Sequence, residues 1–403
     1  MMNEFKKQKI AKYFSKKFDK LSQMGGDIRR IFMLGQKLKE TNLDLNLIDL
    51  SLGNPDLEPP QELKKILTEL VSSKEKGNHR YMDAAGLMEV RQFLANRLSQ
   101  SEGIDVSPDS VYLSVGAAGA LQILFRTFLD PNDEVIIFAP YFPEYIPYTH
   151  NFGAKPIIVK SNSFHNPILK DFEKKISHKT KLIVLNSPNN PAGIAYQEEV
   201  LQKIIDILKL RLKKYNQVIQ IISDEPYYRI VYDSKSSYSL LKNYPFTWIV
   251  RSFSKDLGLA GERIGFIAWK NDKFAFDLSQ ALRNSSRVLG FVSAPRLMQR
   301  LIPYAYDFKV DVAVYQKRVL SFIKILEECG VKTQTPDAGF FVFPKSPQKD
   351  DRQFCEELVH AGVLCVPGSA FGCPGYFRAS LTQGQEHIED AARRIVRLCN
   401  KLI

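Results

Sequence analysis

The sequence predicts an α/β protein: a mostly parallel seven-stranded sheet covered by helices, followed by a smaller α+β domain. Seven short apolar runs, most of them rich in Val and Ile, recur between residues 111 and 268, with helical stretches separating several of them. Apolar strands that alternate with helices build a parallel sheet buried on both faces. The chain of 403 residues is also longer than one compact core usually serves, so two domains are expected.

Taken in order, residues 1–47 read as a basic arm that packs with the small domain. Ile10, Tyr13, Phe14, Phe18 and Leu21 fall at helical spacing there. An arm packed on its own protein or on a partner subunit is preferred to a membrane-surface anchor. Residues 48–294 form the large domain. A strand at 47–52 enters the turn Gly53-Asn54-Pro55-Asp56, and helices follow at 61–71 and 86–98. Strands are expected at 111–115, 134–139, 156–159, 181–185, 218–222, 247–250 and 264–268, with helices at 118–128 and 198–214. Residues 295–403 form the small domain, with a long helical region over 304–329, a segment at 339–343, a helix at 353–361 and strands near Val363 and Phe377.

Composition excludes several classes. The chain is 44% hydrophobic and 25% charged, with no run long enough to span a bilayer. Of the net charge of +12, residues 1–40 carry +7, from eleven Lys/Arg against four Asp/Glu. The remainder is nearly balanced and shows no basic stripe interleaved with aromatics, so nucleic acid is not an expected partner. The lysines of the leader precede no continuous apolar stretch, which argues against a secretory signal. Five cysteines (Cys329, Cys355, Cys365, Cys373, Cys399) form no Cys-x-x-Cys pair and have no histidine pair nearby. A reducing cytoplasm is expected, without disulfides or a bound metal.

Open parallel sheets bind ligands beyond the carboxyl ends of their strands, and the residues just past the apolar runs form a set. Lys255, in Ser252-Phe253-Ser254-Lys255, is followed by Gly258, Gly261 and Arg263. A partly desolvated lysine has a lowered pKa and forms imines with carbonyls. Ser252, Ser254 and Arg263 could grip a phosphate. Asp224 ends a strand in Asp224-Glu225-Pro226-Tyr227; its carboxylate could pair with a protonated ring nitrogen, and Tyr227 could donate to a phenolate. Asn190 lies in Asn186-Ser187-Pro188-Asn189-Asn190-Pro191-Ala192-Gly193. Gly116-Ala117-Ala118-Gly119 joins a strand to a helix, where backbone N–H groups can approach a phosphate. Phe142 could stack on a flat ring, and the planar fork of Arg378 suits a carboxylate. Singly, each has an ordinary structural explanation: a surface lysine, a capping aspartate, a turn, a core aromatic. Together, at successive strand ends, they form one constellation.

As a set these segments resemble the class I/II aminotransferases, the fold-type I pyridoxal-phosphate enzymes. The resemblance runs from about Gly26 to the C-terminus with the landmarks in family order. It implies pyridoxal 5'-phosphate held as a Schiff base by Lys255, which also shuttles the proton. Asp224 would partner the pyridine nitrogen, and Asn190 and Tyr227 the phenolate oxygen. Ala117, Ala118, Ser252, Ser254 and Arg263 would serve the phosphate, and Phe142 would stack on the ring. Gly53, Asn190 and Arg378 would hold the substrate α-carboxylate. Tyr81 resembles the tyrosine that reaches the neighbouring subunit's phosphate, which implies a homodimer.

The departures from the family pattern are Ala117-Ala118 in place of a polar residue, Phe142 in place of Trp or Tyr, and Ala192 in place of Thr. The implied activity is ping-pong transamination between an L-amino acid and a 2-oxo acid. A C–S β-lyase or carbon-chain condensation on the same scaffold is the alternative, and an aminotransferase-like transcription regulator a more distant one. A nicotinamide dehydrogenase is disfavoured because no Gly-x-Gly-x-x-Gly follows the first strand. For a second substrate carboxylate, Arg283 and Arg287 are the candidate cations.

Overall fold

The structure is a computed structural model that describes residues 15, 21, 26–41, 46–232 and 238–402. Apart from Leu21, the amphipathic leader residues fall outside the described residues. The helix Gly26–Thr41 follows, and its Ile31 is buried among residues of the C-terminal part of the chain.

The first strands are β1 (Ile48–Asp49), β2 (Val111–Val115), β3 (Glu134–Phe138), β4 (Lys155–Val159), β5 (Thr180–Asn186), β6 (Gln220–Asp224), β7 (Thr247–Ser252) and β8 (Ile264–Trp269). Strands β2 to β8 form one seven-stranded sheet in the order β2-β8-β7-β6-β5-β3-β4. Only β8 is reversed, running antiparallel to both its neighbours.

Successive strand residues point to opposite faces, so the Val/Ile runs supply two cores at once. Val135, Ile137, Val184 and Ile222 pack with Leu121, Leu124 and Phe125 of the helix Gly116–Phe128. Ile136, Ile183, Leu185 and Ile221 pack with Leu201, Ile204 and Leu208 of the helix Glu198–Tyr215. Each such side chain contributes about 2 kcal/mol by leaving water, which is why these strands carry no alternation of apolar and polar residues.

The register sets the functional edge. Asn186 faces Asp224, Ser252 faces Gly265 and Val115 faces Ile264. The carboxyl ends of β2, β5, β6 and β7 therefore line up with the amino end of β8.

The later strands are β9 (Phe341–Val342), β10 (Val363–Leu364), β11 (Val366–Pro367) and β12 (Phe377–Ser380). They form a three-stranded antiparallel sheet, β11-β12-β9, and the parallel pair β1-β10. Val319, Phe322 and Leu326 of the helix Val312–Glu327 pack on Ile388, Ala391 and Ile395 of the helix Gln385–Leu402.

Three expectations change. The strand expected at 47–52 shrinks to Ile48–Asp49 and joins β10, not the large sheet. The strand expected at 218–222 lies two residues later, because Val218 and Ile219 fall before the first ladder pair, Gln220 with Leu182. The long helix over 304–329 is two helices, Arg296–Ala305 and Val312–Glu327. The Asp311 side chain accepts the Ala313 amide and starts the second one.

Candidate active site

Lys255 follows β7 by three residues. Its Nζ donates to the Gly53 carbonyl at 2.8 Å and lies 5.8 Å from the Phe340 ring. Burial lowers its pKa to about 8, and the guanidinium groups of Arg263 and Arg378 push the same way. The amine is thus partly neutral near physiological pH, as a nucleophile must be. Gly53 is required here: a Cβ on it would sit 2.6 Å from the Phe341 ring.

Asp224 is the last residue of β6, where the strand direction turns its carboxylate into the site. Tyr145 OH donates to its Oδ2 at 2.5 Å, while its Oδ1 is buried with no hydrogen-bond partner among the described residues. Burial raises its pKa to about 7; the Tyr145 hydrogen bond opposes the rise and neighbouring Glu225 adds to it. The Glu225 charge is itself answered by Arg251, whose Nε donates to Glu225 at 2.8 Å and whose Nη2 reaches Glu102 at 2.7 Å.

The turn after β5 folds on side-chain bonds. Asn186 Nδ2 donates to the Asp224 carbonyl at 2.8 Å, and the Asn190 amide donates to Asn186 Oδ1 at 2.8 Å. Asn190 Oδ1 in turn accepts from Arg378 Nη1 at 3.1 Å. Arg378 Nη2 donates to the Ser51 carbonyl. Its guanidinium stands 4.7 Å from the Phe341 ring and 4.9 Å from the Phe371 ring. Burial lowers the Arg378 pKa to about 10. Tyr227 is buried edge-on to Phe340 and Phe341, and burial pushes its phenol well up.

The helix Gly116–Phe128 starts without a side-chain cap. Gly116 has φ +65°, and a Cβ there would meet the Arg263 guanidinium at 3.1 Å. Arg263 stands just before β8, and only the reversal of that strand brings it to this edge. Ser252 and Ser254 are buried at the end of β7 and just beyond it. Phe142 lies edge-on to Tyr145, with ring centroids 5.6 Å apart.

The structure thus brings together Lys255 with Gly53, Asn190 with Arg378, and Arg263 with Gly116. Tyr81 is fully exposed within the single chain. Arg283 donates to the carboxylate of Asp83 at 2.9 Å, and Arg287 is exposed. Sequence reasoning missed Tyr145, Asn186 and Arg251. For Tyr145 a signal existed: it stands three residues after Phe142, across the turn in which its amide donates to the Phe142 carbonyl.

A buried amine, a buried carboxylate, a guanidinium-flanked helix start and a second buried guanidinium gather beyond the strand ends of an open α/β sheet, where folds of this class place their ligand sites. The family model for aminotransferase class I and II matches residues 46–395. The chain belongs to that family and is a transaminase. It is 32% identical over 355 residues to an aspartate aminotransferase of Thermotoga maritima, covering 87% of this chain and 90% of that one. A probable aspartate/prephenate aminotransferase of Aquifex aeolicus is 31% identical over 367 residues, with 87% and 90% covered. Among solved structures, an amino transferase from Eubacterium rectale superimposes with a TM-score of 0.89 at 33% identity, over 93% of this chain and 95% of that one.

Proposed function

We propose that the cofactor is pyridoxal 5'-phosphate, tethered covalently by Lys255. One observation carries this reading: a lysine of lowered pKa shares a site with a buried carboxylate oxygen, Asp224 Oδ1, that has no hydrogen-bond donor among the described residues. The residues fit the group. Asp224 offers that oxygen to a ring N–H, and an opposite charge there would return its pKa toward the ordinary range. Asn190 and Tyr227 serve the phenolate, and Phe142 the ring face. The uncapped helix start at Ala117 and Ala118, with Ser252, Ser254 and Arg263, suits a phosphate.

When bound, this cofactor supplies an electrophilic aldehyde and a ring that accepts the electron pair left by the departing α-proton. Arg378 binds the substrate α-carboxylate through its planar fork, with Gly53 and Asn190 beside it. The Lys255 amine would take the substrate α-proton at Nζ and give it back two bonds away, across the amino nitrogen. Asp224 would be ionised beside the ring nitrogen and would favour its protonated form. The aromatic walls Phe340, Phe341 and Phe371 keep water from Lys255 and Arg378 and strengthen each charge interaction.

The net reaction is amino transfer between an L-amino acid and a 2-oxo acid in two half-reactions, which gives parallel double-reciprocal lines. The proposed assembly is a homodimer in which Tyr81 reaches the neighbouring site, and the proposed location is the cytoplasm. Borohydride reduction with pyridoxal phosphate followed by peptide mapping tests the core of the proposal. A label anywhere but Lys255, or none, overturns it. A panel of amino donors against several 2-oxo acids then assigns the substrates, and release of ammonia and pyruvate in place of amino transfer would point to elimination.

A further inference from the structure

Lys255 and Tyr227 stand on different turns, and a buried ion pair joins those turns one or two residues further on. Asp256 follows Lys255, and its side chain is 1% exposed. Arg229, two residues after Tyr227, donates through Nη1 to Asp256 Oδ2 at 3.0 Å. Its Nη2 donates to the Phe308 carbonyl at 2.7 Å, and its guanidinium lies 5.4 Å from the Tyr306 ring. The Val310 amide donates to the Asp256 carbonyl at 2.8 Å. Three segments meet at this point: the Tyr227 turn, the Lys255 turn and the connection from the helix Arg296–Ala305 to the helix Val312–Glu327.

We propose that Asp256 and Arg229 are positioning residues for the transamination, their ion pair setting the spacing between the Lys255 amine and the Tyr227 hydroxyl. The proposal rests on Lys255 being the lysine that holds the cofactor. A buried ion pair is a poor source of stability, because desolvation offsets most of the Coulomb attraction. What it does supply is direction. The rigid fork of Arg229 points one nitrogen at Asp256 and the other at Phe308, so neither turn can shift without losing a bond. Arg378 is fixed separately by Ser51 and Asn190. The Lys255 amine is held by the Gly53 carbonyl, and the Asp256 side chain ties the turn that carries it to Arg229. A reacting group displaced by about 1 Å can lose about a hundredfold in rate.

The test compares the full-length enzyme with D256N, R229M, R229K and D256N/R229M, each loaded with pyridoxal phosphate. Three quantities are measured: the pH titration of the bound cofactor's visible band, kcat and KM for an amino donor, and the thermal midpoint. D256N and R229M each move the band's titration by about half a unit and lower kcat about tenfold, with KM changed by less than about threefold. The double variant is no worse than the worse single one, because both remove the same pair. R229K, which keeps the charge but not the fork, falls between wild type and R229M. Should R229M fail to fold, the near-isosteric D256N decides by the same readouts. Variants that lose thermal stability while band and kcat match wild type overturn the proposal. A wild-type protein with no visible band overturns the cofactor assignment first and this proposal with it.

Discussion

The Tyr145 hydroxyl donates a 2.5 Å hydrogen bond to Asp224 Oδ2, and both residues are buried. One carboxylate oxygen is thus fixed from the helix Tyr145–Asn151, while the other, Oδ1, is buried with no hydrogen-bond partner among the described residues. The bond orients the carboxylate and favours its charged form against a burial that would keep it protonated.

Y145F removes that bond with little change of shape. Loss of one hydrogen bond to a charged group costs about 1.5–3 kcal/mol, so pyridoxal phosphate affinity falls about tenfold or more and kcat with it. A spectrophotometric titration of the cofactor and steady-state kinetics read both. An unchanged affinity would show that Asp224 is held by other groups.

Asp224 makes the cofactor-free protein sensitive to pH. Its folded-state pKa, about 7 against 3.8, is raised, so the folded chain binds more protons than the unfolded chain between those values. Stability from this group is present at low pH and declines as pH rises through 7. Thermal midpoints of the cofactor-free protein from pH 5 to 8 should fall more steeply than those of D224N, and equal slopes would contradict the assignment.

Lys255 has the opposite sign. Its folded-state pKa, lowered to about 8 from 10.5, means that the unfolded chain holds more protons between those values, so stability rises with pH there. At pH 7 the buried ammonium is a penalty, and cofactor-free K255M should be more stable than wild type by about 2 kcal/mol. Urea unfolding at pH 7 and above pH 10 checks this, since the difference should shrink at the higher pH. The same variant should take no borohydride label.

R378K tests the substrate fork. It keeps the positive charge but loses the paired bonds to Asn190 and Ser51. Expected is a loss in kcat/KM of about a hundredfold for amino and oxo acids alike, with cofactor affinity unchanged. A loss confined to one substrate would place Arg378 elsewhere in recognition.

Much of this molecule can be read along the chain because burial writes a local record. Seven short apolar runs mark the sheet, since a strand covered on both faces is built mostly of apolar residues. The turns beyond them show Lys255, Asp224 and Asn190 at strand ends, where a parallel sheet gathers its ligands. The limit of a window helix also shows in the residues: 304–329 looked continuous, yet Asp311 accepts the Ala313 amide and restarts the helix.

Fold class is legible along the chain because it depends on the periodicity of the apolar runs, and the same runs mark Lys255 and Asp224 as candidates beside strand ends. Which distant groups meet depends on tertiary packing. Strand β8 runs backwards, and so Arg263, ahead of its strand, arrives beside Gly116. Ile48–Asp49 pairs with Val363–Leu364 rather than with the large sheet. Tyr145 meets Asp224, and Arg229 meets Asp256, across separations of 79 and 27 residues. Such pairings are set by sheet order and packing, and no short window of sequence carries them.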